Sequence, residues 1–175
     1  IQFLKYKPDD ISEIEVNEKD YVELRNVYSG NISAVVLVYH IEQKELFIIK
    51  KPSTFDIEYP KLNKREKENY LNLIHPFLAK YYGTVKNKKY LLIEFINGSS
   101  LTNIKSMHLS NEEKITIIFE LMVALLFLHQ KGYIYRDLKP SNVMVDENKN
   151  AVLIDFDRTI SFNEVNSCSA DFSLN

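Results

Sequence analysis

The residues best equipped for chemistry in this chain stand together, as Tyr135-Arg136-Asp137-Leu138-Lys139-Pro140-Ser141-Asn142. Apolar segments wall this polar run on both sides. Upstream, Ile115 to Leu128 reads as a buried helix. Downstream, Val143-Met144-Val145 and Ala151-Val152-Leu153-Ile154 read as short buried strands, and Asp155 follows the second. Two carboxylates, an amide and a lysine then converge on one place. They sit on a loop held by a rigid scaffold, which is where binding and catalytic groups concentrate.

The run YRDLKPSN resembles the catalytic loop of protein kinases, H-R-D-L-x-x-x-N, with Tyr135 in place of His. The Asp, Lys and Asn fall at the family's spacing, and Asp155-Phe156 follows at its usual interval to the metal-binding Asp. Lys139 followed by Pro140 is similar to the serine/threonine branch. The resemblance implies an α+β, protein-kinase-like fold: a complete β-rich small lobe with one helix, plus the first part of the α-helical large lobe. It also implies transfer of the ATP γ-phosphate to protein Ser/Thr hydroxyls, chemistry that rests on positioning and charge neutralisation. Asp137 would accept or orient the hydroxyl proton, and Lys139 would contact the transferred phosphate. Asn142 and Asp155 would hold magnesium (Mg2+), whose geometry suits carboxylate and amide oxygens.

The elements that must position these groups come earlier. Tyr21 to Val27 alternates as a half-buried strand should, Val35 to Tyr39 is apolar, and Leu46 to Lys50 follows a second short turn, so three strands form an antiparallel meander. The first turn stands where the family has G-x-G-x-x-G-x-V. Tyr28, Gly30, Ser33 and Val35 occupy its positions, so one glycine and the valine match. Glycines serve there because the backbone must approach the phosphates closely. Lys50 stands at the place of the family's strand lysine and would bind the α- and β-phosphates. Ile48 stands where the family has Ala above the adenine, where overpacking costs about 1–3 kcal/mol, or about five- to a hundredfold in affinity.

Residues 63–74 are a helical candidate ended by His75-Pro76. The resemblance makes Glu66 the partner of Lys50, although a surface helix of mixed charge explains the pattern equally well. Residues 77–82 and Tyr90 to Phe95 read as two strands around a turn from Gly83 to Lys89. By resemblance Ile93 is the gatekeeper, backbone groups of Glu94 and Ile96 bond the adenine, and Met144 joins the nucleotide contacts. Tyr70, Tyr81, Tyr135 and Phe156 fall where the family stacks its regulatory spine, and ordinary aromatic core predicts the same burial.

The implied organisation is a lead-in over 1–20, a small lobe and hinge over 21–97, and a partial large lobe over 98–175 with helices D and E, the catalytic loop and part of the activation segment. Ser110 and Glu113 have capping-box form, and the helix after them, running to about His129 with Gly132 as its stop, is apolar almost all round. It expects neighbours on every side, among them the family's large central helix, which these residues do not supply. Asp157 replaces the glycine of the family's D-F-G, where a left-handed backbone costs about 1–2 kcal/mol. Arg136 resembles the arginine that pairs with an activation-loop phosphate, for which Thr159, Ser161, Ser167, Ser169 and Ser173 are candidates.

With 22 basic and 24 acidic residues among 175, the net charge of −2 provides no field to recruit nucleic acid or an anionic membrane. Cys168 is the only cysteine, so an intrachain disulfide is excluded, which fits a cytoplasmic, reducing setting. No run reaches the roughly 20 apolar residues of a membrane span. The expected partners are ATP and a protein with a Ser/Thr acceptor; nothing sets the oligomeric state. The chain opens on Ile1 and the pattern stops before any A-P-E, which suggests a fragment. Tyr28, Ser33, Ile48 and Asp157 keep two alternatives open: a pseudokinase that binds or scaffolds without catalysing, and an inactive partial gene product.

Overall fold

The structure, a computed structural model, describes residues 14–31, 33–52, 59–88 and 90–164. They fall into two compact units. The first takes in 14–74 and Ala79–Ile96, the second His75–Leu78 and 97–164.

The first unit is built on a six-stranded sheet. Strands β1 (Ile14–Val16), β2 (Tyr21–Ser29), β3 (Ser33–His40), β4 (Glu45–Pro52), β5 (Tyr81–Val85) and β6 (Tyr90–Glu94) run in the order β1-β5-β6-β4-β3-β2. The branched side chains of β3 and β4 favour this pleated, half-buried setting. Gly30 N donates to Ser33 O at 2.9 Å to close the first turn, and Lys44, at φ 57, helps close the second. Alternate residues of each strand share a face. One face carries Tyr21, Val36, Val38, Phe47, Ile49 and Leu92, which join Val16 and Val85 in the core. Fully burying such a side chain stabilises by about 1.5–3 kcal/mol. Helix α1 (Tyr59–Asn72) packs on β5 and β6.

Three sequence expectations shift here. The lead-in contributes a strand, since β1 pairs in parallel with β5 through Ile14↔Gly83 to Val16↔Val85. The strand expected over 77–82 lies four residues later: Gly83 is inside β5, at a bulge against β6, rather than in the turn. Helix α1 begins at Tyr59, not at residue 63.

In the second unit, helix α2 (Asn111–Gln130) opens on the expected capping box. Glu113 N donates to Ser110 Oγ at 3.1 Å, and Ser110 N donates to Glu113 Oε2 at 2.7 Å. It stops before Gly132, whose φ of 80 suits glycine. Strands β7 (Gly98–Ser100), β9 (Val143–Asp146) and β10 (Ala151–Leu153) form one small sheet, and β8 (Tyr133–Ile134) pairs with β11 (Ile160–Ser161) in another. A Cβ on Gly98 would lie 2.0 Å from Val145 O, so only glycine lets β7 approach β9. Leu153 N donates to Phe77 O at 2.9 Å, which fastens His75–Leu78 to this unit. Where helix D was expected, Leu101–Ser106 forms a 3-10 helix kinked at Asn103.

Helix α2 buries Ile117, Glu120, Ala124, Phe127 and Leu128 and packs on β8 and β10. Its other flank leaves Ile115, Ile118, Phe119, Met122 and Leu126 exposed, so the helix that expected neighbours all round has them on one side among the described residues. Glu120 accepts from Ala151 N at 2.7 Å. Burial pushes its carboxyl above the usual value; the Ala151 bond opposes this, and the Asp146 charge adds to it. A raised folded pKa gives stability that is present in acid and lost as pH rises through that pKa. Urea titrations from pH 4 to 7 therefore show Glu120→Gln gaining on the wild type as pH rises; a flat or opposite difference contradicts the burial of a charged carboxylate here.

Candidate active site

Register in the first unit places four of the sequence-predicted residues on one sheet face. Val35 is opposite Lys50, and Ile48 is opposite Ile93, on the side away from the Phe47–Ile49 core face. Lys50 reaches Glu66 of α1, with Nζ 3.0 Å from Oε1 and 2.8 Å from Oε2. Lys50 is 8% exposed and Glu66 2%, so this is a buried pair rather than a surface one. Breaking such a pair strands a charge away from water. Ile48 is half-buried and pairs with Ile93 across the sheet.

Gly30 lies at the tip of the β2–β3 hairpin under the Tyr28 ring. A Cβ there would meet Tyr28 Cε1 at 2.8 Å, so the bulky residue folds back over the one glycine this turn retains. Glu94 N donates to Lys80 O and its Oε2 accepts from Lys80 N, both at 2.9 Å. The Glu94 amide is thus committed to the Lys80 carbonyl. Ile96 is buried at the end of the unit. Tyr70 stacks on Tyr81 at 6.1 Å.

In the second unit, the polar run forms one bonded loop. Lys139 Nζ donates to Asp137 Oδ2 at 2.7 Å, and Asn142 Nδ2 donates to Asp137 O at 3.0 Å and to Oδ2 at 2.9 Å. Burial pushes the Asp137 carboxyl up, but the Lys139 and Asn142 bonds outweigh it and hold the group below its ordinary value. The same bond raises Lys139. The Asp137 carboxyl is thereby held toward its ionised form.

The loop is tied to the Asp155 segment at several points. Ile154 N donates to Asn142 O at 2.9 Å, and the buried Tyr135 hydroxyl donates to Ile154 O. Burial raises the Tyr135 hydroxyl, with Asp155 adding to it, so the phenol stays a neutral donor. Tyr135 and Phe156 meet edge to face at 5.9 Å. Met144 is half-buried on β9, which leads away from Asn142.

The left-handed backbone expected at Asp157 falls instead at Asp155, φ 67, and at Arg136, φ 64. Asp157 and Arg158 form a turn closed by Thr159 N donating to Phe156 O at 3.2 Å, which needs no positive φ. Thr159 is fully buried, with Oγ1 donating to Tyr135 O at 3.4 Å, which removes it from the accessible phosphate acceptors. Ser161 is half-buried on β11 and bonded to Glu164. Ser167, Ser169 and Ser173 lie outside the described residues.

The donor set fits magnesium in kind. Asn142 spends its amide protons on Asp137, which turns its carbonyl oxygen into the end available to a cation, and Asp155 follows Ile154, which is bonded to the Asn142 backbone. Among the described residues no three His, Cys, Asp or Glu side chains gather as a metal cage, so one carboxylate and one amide would rely on phosphate and water oxygens for the rest, as magnesium sites do. Sequence reasoning missed Arg158, whose charge acts on both Asp137 and Lys139. Its position after Asp157 carries no local signal.

The protein kinase domain model matches residues 21–172. The chain is 34% identical over 142 residues to an Aurora kinase of Candida albicans, covering 77% of this chain and 27% of that protein. It is 30% identical over 151 residues to ribosomal protein S6 kinase 2 alpha of Xenopus laevis, covering 81% and 21%. It is 31% identical over 157 residues to serine/threonine-protein kinase sgk-1 of Caenorhabditis elegans, covering 85% and 34%. The chain thus spans between a fifth and about a third of the length of these relatives. No helix among the described residues is long and apolar enough to cross a membrane. With the family pattern matched over most of its length, the chain belongs to the protein kinase family.

Proposed function

We propose that the protein transfers the γ-phosphate of ATP to a serine or threonine hydroxyl of a protein substrate. The observation that carries this reading is the Asp137 carboxyl group, held by Lys139 and Asn142 on a loop bonded to the Asp155 segment. In the reaction the bond from the γ-phosphorus to the bridging oxygen of ADP breaks, and a bond from the same phosphorus to the acceptor oxygen forms. The acceptor proton passes to Asp137 and then to solvent; the products are ADP and a phosphoester. In this reading Lys139 holds the moving phosphoryl group, and Lys50, steadied by Glu66, holds the α- and β-phosphates. Asn142 and Asp155 would hold magnesium, which would supply charge neutralisation when bound.

Full-length protein, γ-labelled ATP, magnesium and a serine peptide test this. Label on the peptide that disappears with a chelator is the expected result. Magnesium-dependent ATP binding without transfer favours a scaffold that no longer catalyses, a reading that the Tyr28 ring over Gly30 supports.

A further inference from the structure

Asp137 stands among three exposed cations, and the reading above uses only Lys139. The other two are Arg136 and Arg158. Arg136 Nε donates to the Arg158 carbonyl at 2.7 Å. On the far side of Arg158, Thr159 is buried and bonded to Tyr135 O. The backbone that leaves Arg158 is therefore fastened to the loop that carries Asp137 at two successive residues, while the Arg158 side chain stays in solvent. Among the described residues no carboxylate forms an ion pair with either guanidinium. The charge of Arg158 is nevertheless felt at Asp137 and at Lys139. Leu138, 55% exposed, adds an apolar neighbour. The acids nearby are Asp137, committed to Lys139, and Asp155 and Asp157 in the adjoining segment.

We propose that Arg158, backed by Arg136, selects acceptor segments that carry an acidic side chain next to the hydroxyl. The inference rests on the kinase reading and extends it to the class of substrate. A guanidinium presents a planar fork of donors that matches a carboxylate. An acceptor hydroxyl delivered to Asp137 brings its flanking residues within reach of that fork. A lysine or arginine at the same place meets like charge and is disfavoured.

The test uses full-length protein and serine peptides with Asp, Ala or Lys at each position flanking the acceptor. The wild type favours Asp over Lys in kcat/KM at one or more flanking positions by about tenfold. Arg158→Glu brings that ratio below one, and Arg158→Lys retains part of it. A ratio that Arg158→Glu leaves unchanged overturns the proposal. If no peptide accepts phosphate, the kinase reading fails on its own, and fluorescence anisotropy of the labelled Asp and Lys peptides decides this one. Tighter Asp-peptide binding that Arg158→Glu abolishes supports it; equal or undetectable binding of the two overturns it.

Discussion

Asp137→Asn lowers the turnover of phosphoryl transfer by about 10²- to 10⁴-fold, the range for loss of a positioned proton acceptor. The exchange keeps shape and removes charge. In the wild type one oxygen, Oδ2, receives both Lys139 Nζ and Asn142 Nδ2. An Asn side chain can turn only its single oxygen to those donors, and it has no basic lone pair left for the acceptor hydroxyl. ATP affinity, measured by calorimetry, should move much less, because Asp137 is given no nucleotide contact. Single-turnover rates separate chemistry from release of product. A loss under threefold would remove Asp137 from the role of proton acceptor.

Lys50→Met has the largest expected effect on stability, about 3–5 kcal/mol, because it takes the paired cation away from the buried Glu66 carboxylate. Glu66 is 2% exposed on α1, with few routes to water. The double change Lys50→Met with Glu66→Leu should recover most of that loss, since an apolar pair of similar volume replaces the ions. Nucleotide affinity should stay low in both, because the ammonium is absent from both. Urea unfolding measures the first quantity and ATP titration the second. Equal stability for the single and double variants would mean that the pair is not buried as described; recovery of ATP binding in the double variant would mean that Lys50 holds Glu66 and nothing else.

The gathering of the polar residues around Asp137 was legible because its geometry is local. Asp137, Lys139 and Asn142 lie within six positions, and a 3-10 turn over Pro140–Asn142 is enough to bring the amide back onto the carboxylate. Lys50 and Glu66 are sixteen residues apart on a strand and a helix. Helical periodicity explains Glu68 equally well, so only the family pattern chose Glu66. What stayed hidden depended on distant partners. Strand β1 exists because residues far along the chain, Gly83 to Val85, accept it. Gly83 reads as punctuation in isolation, yet lies inside β5 at a bulge. The burial of Thr159 follows from Tyr135, twenty-four residues earlier. The left-handed turn at Asp155 instead of Asp157 reflects the fastening of Ile154 from both sides, by Asn142 and Tyr135, which composition does not encode.

The uncovered flank of α2 makes the protein's response to salt two-edged. Ile115, Phe119, Met122 and Leu126 offer a greasy ridge to any similar surface. Sulfate strengthens contact between such surfaces by its exclusion from them. The same ions screen exposed guanidinium groups from an approaching anion, over a range of about 10 Å at 0.1 M ionic strength. Concentrated sulfate is thus expected to strengthen contacts at this ridge while it weakens the attraction of Arg158 for any carboxylate, and dilute salt to do neither.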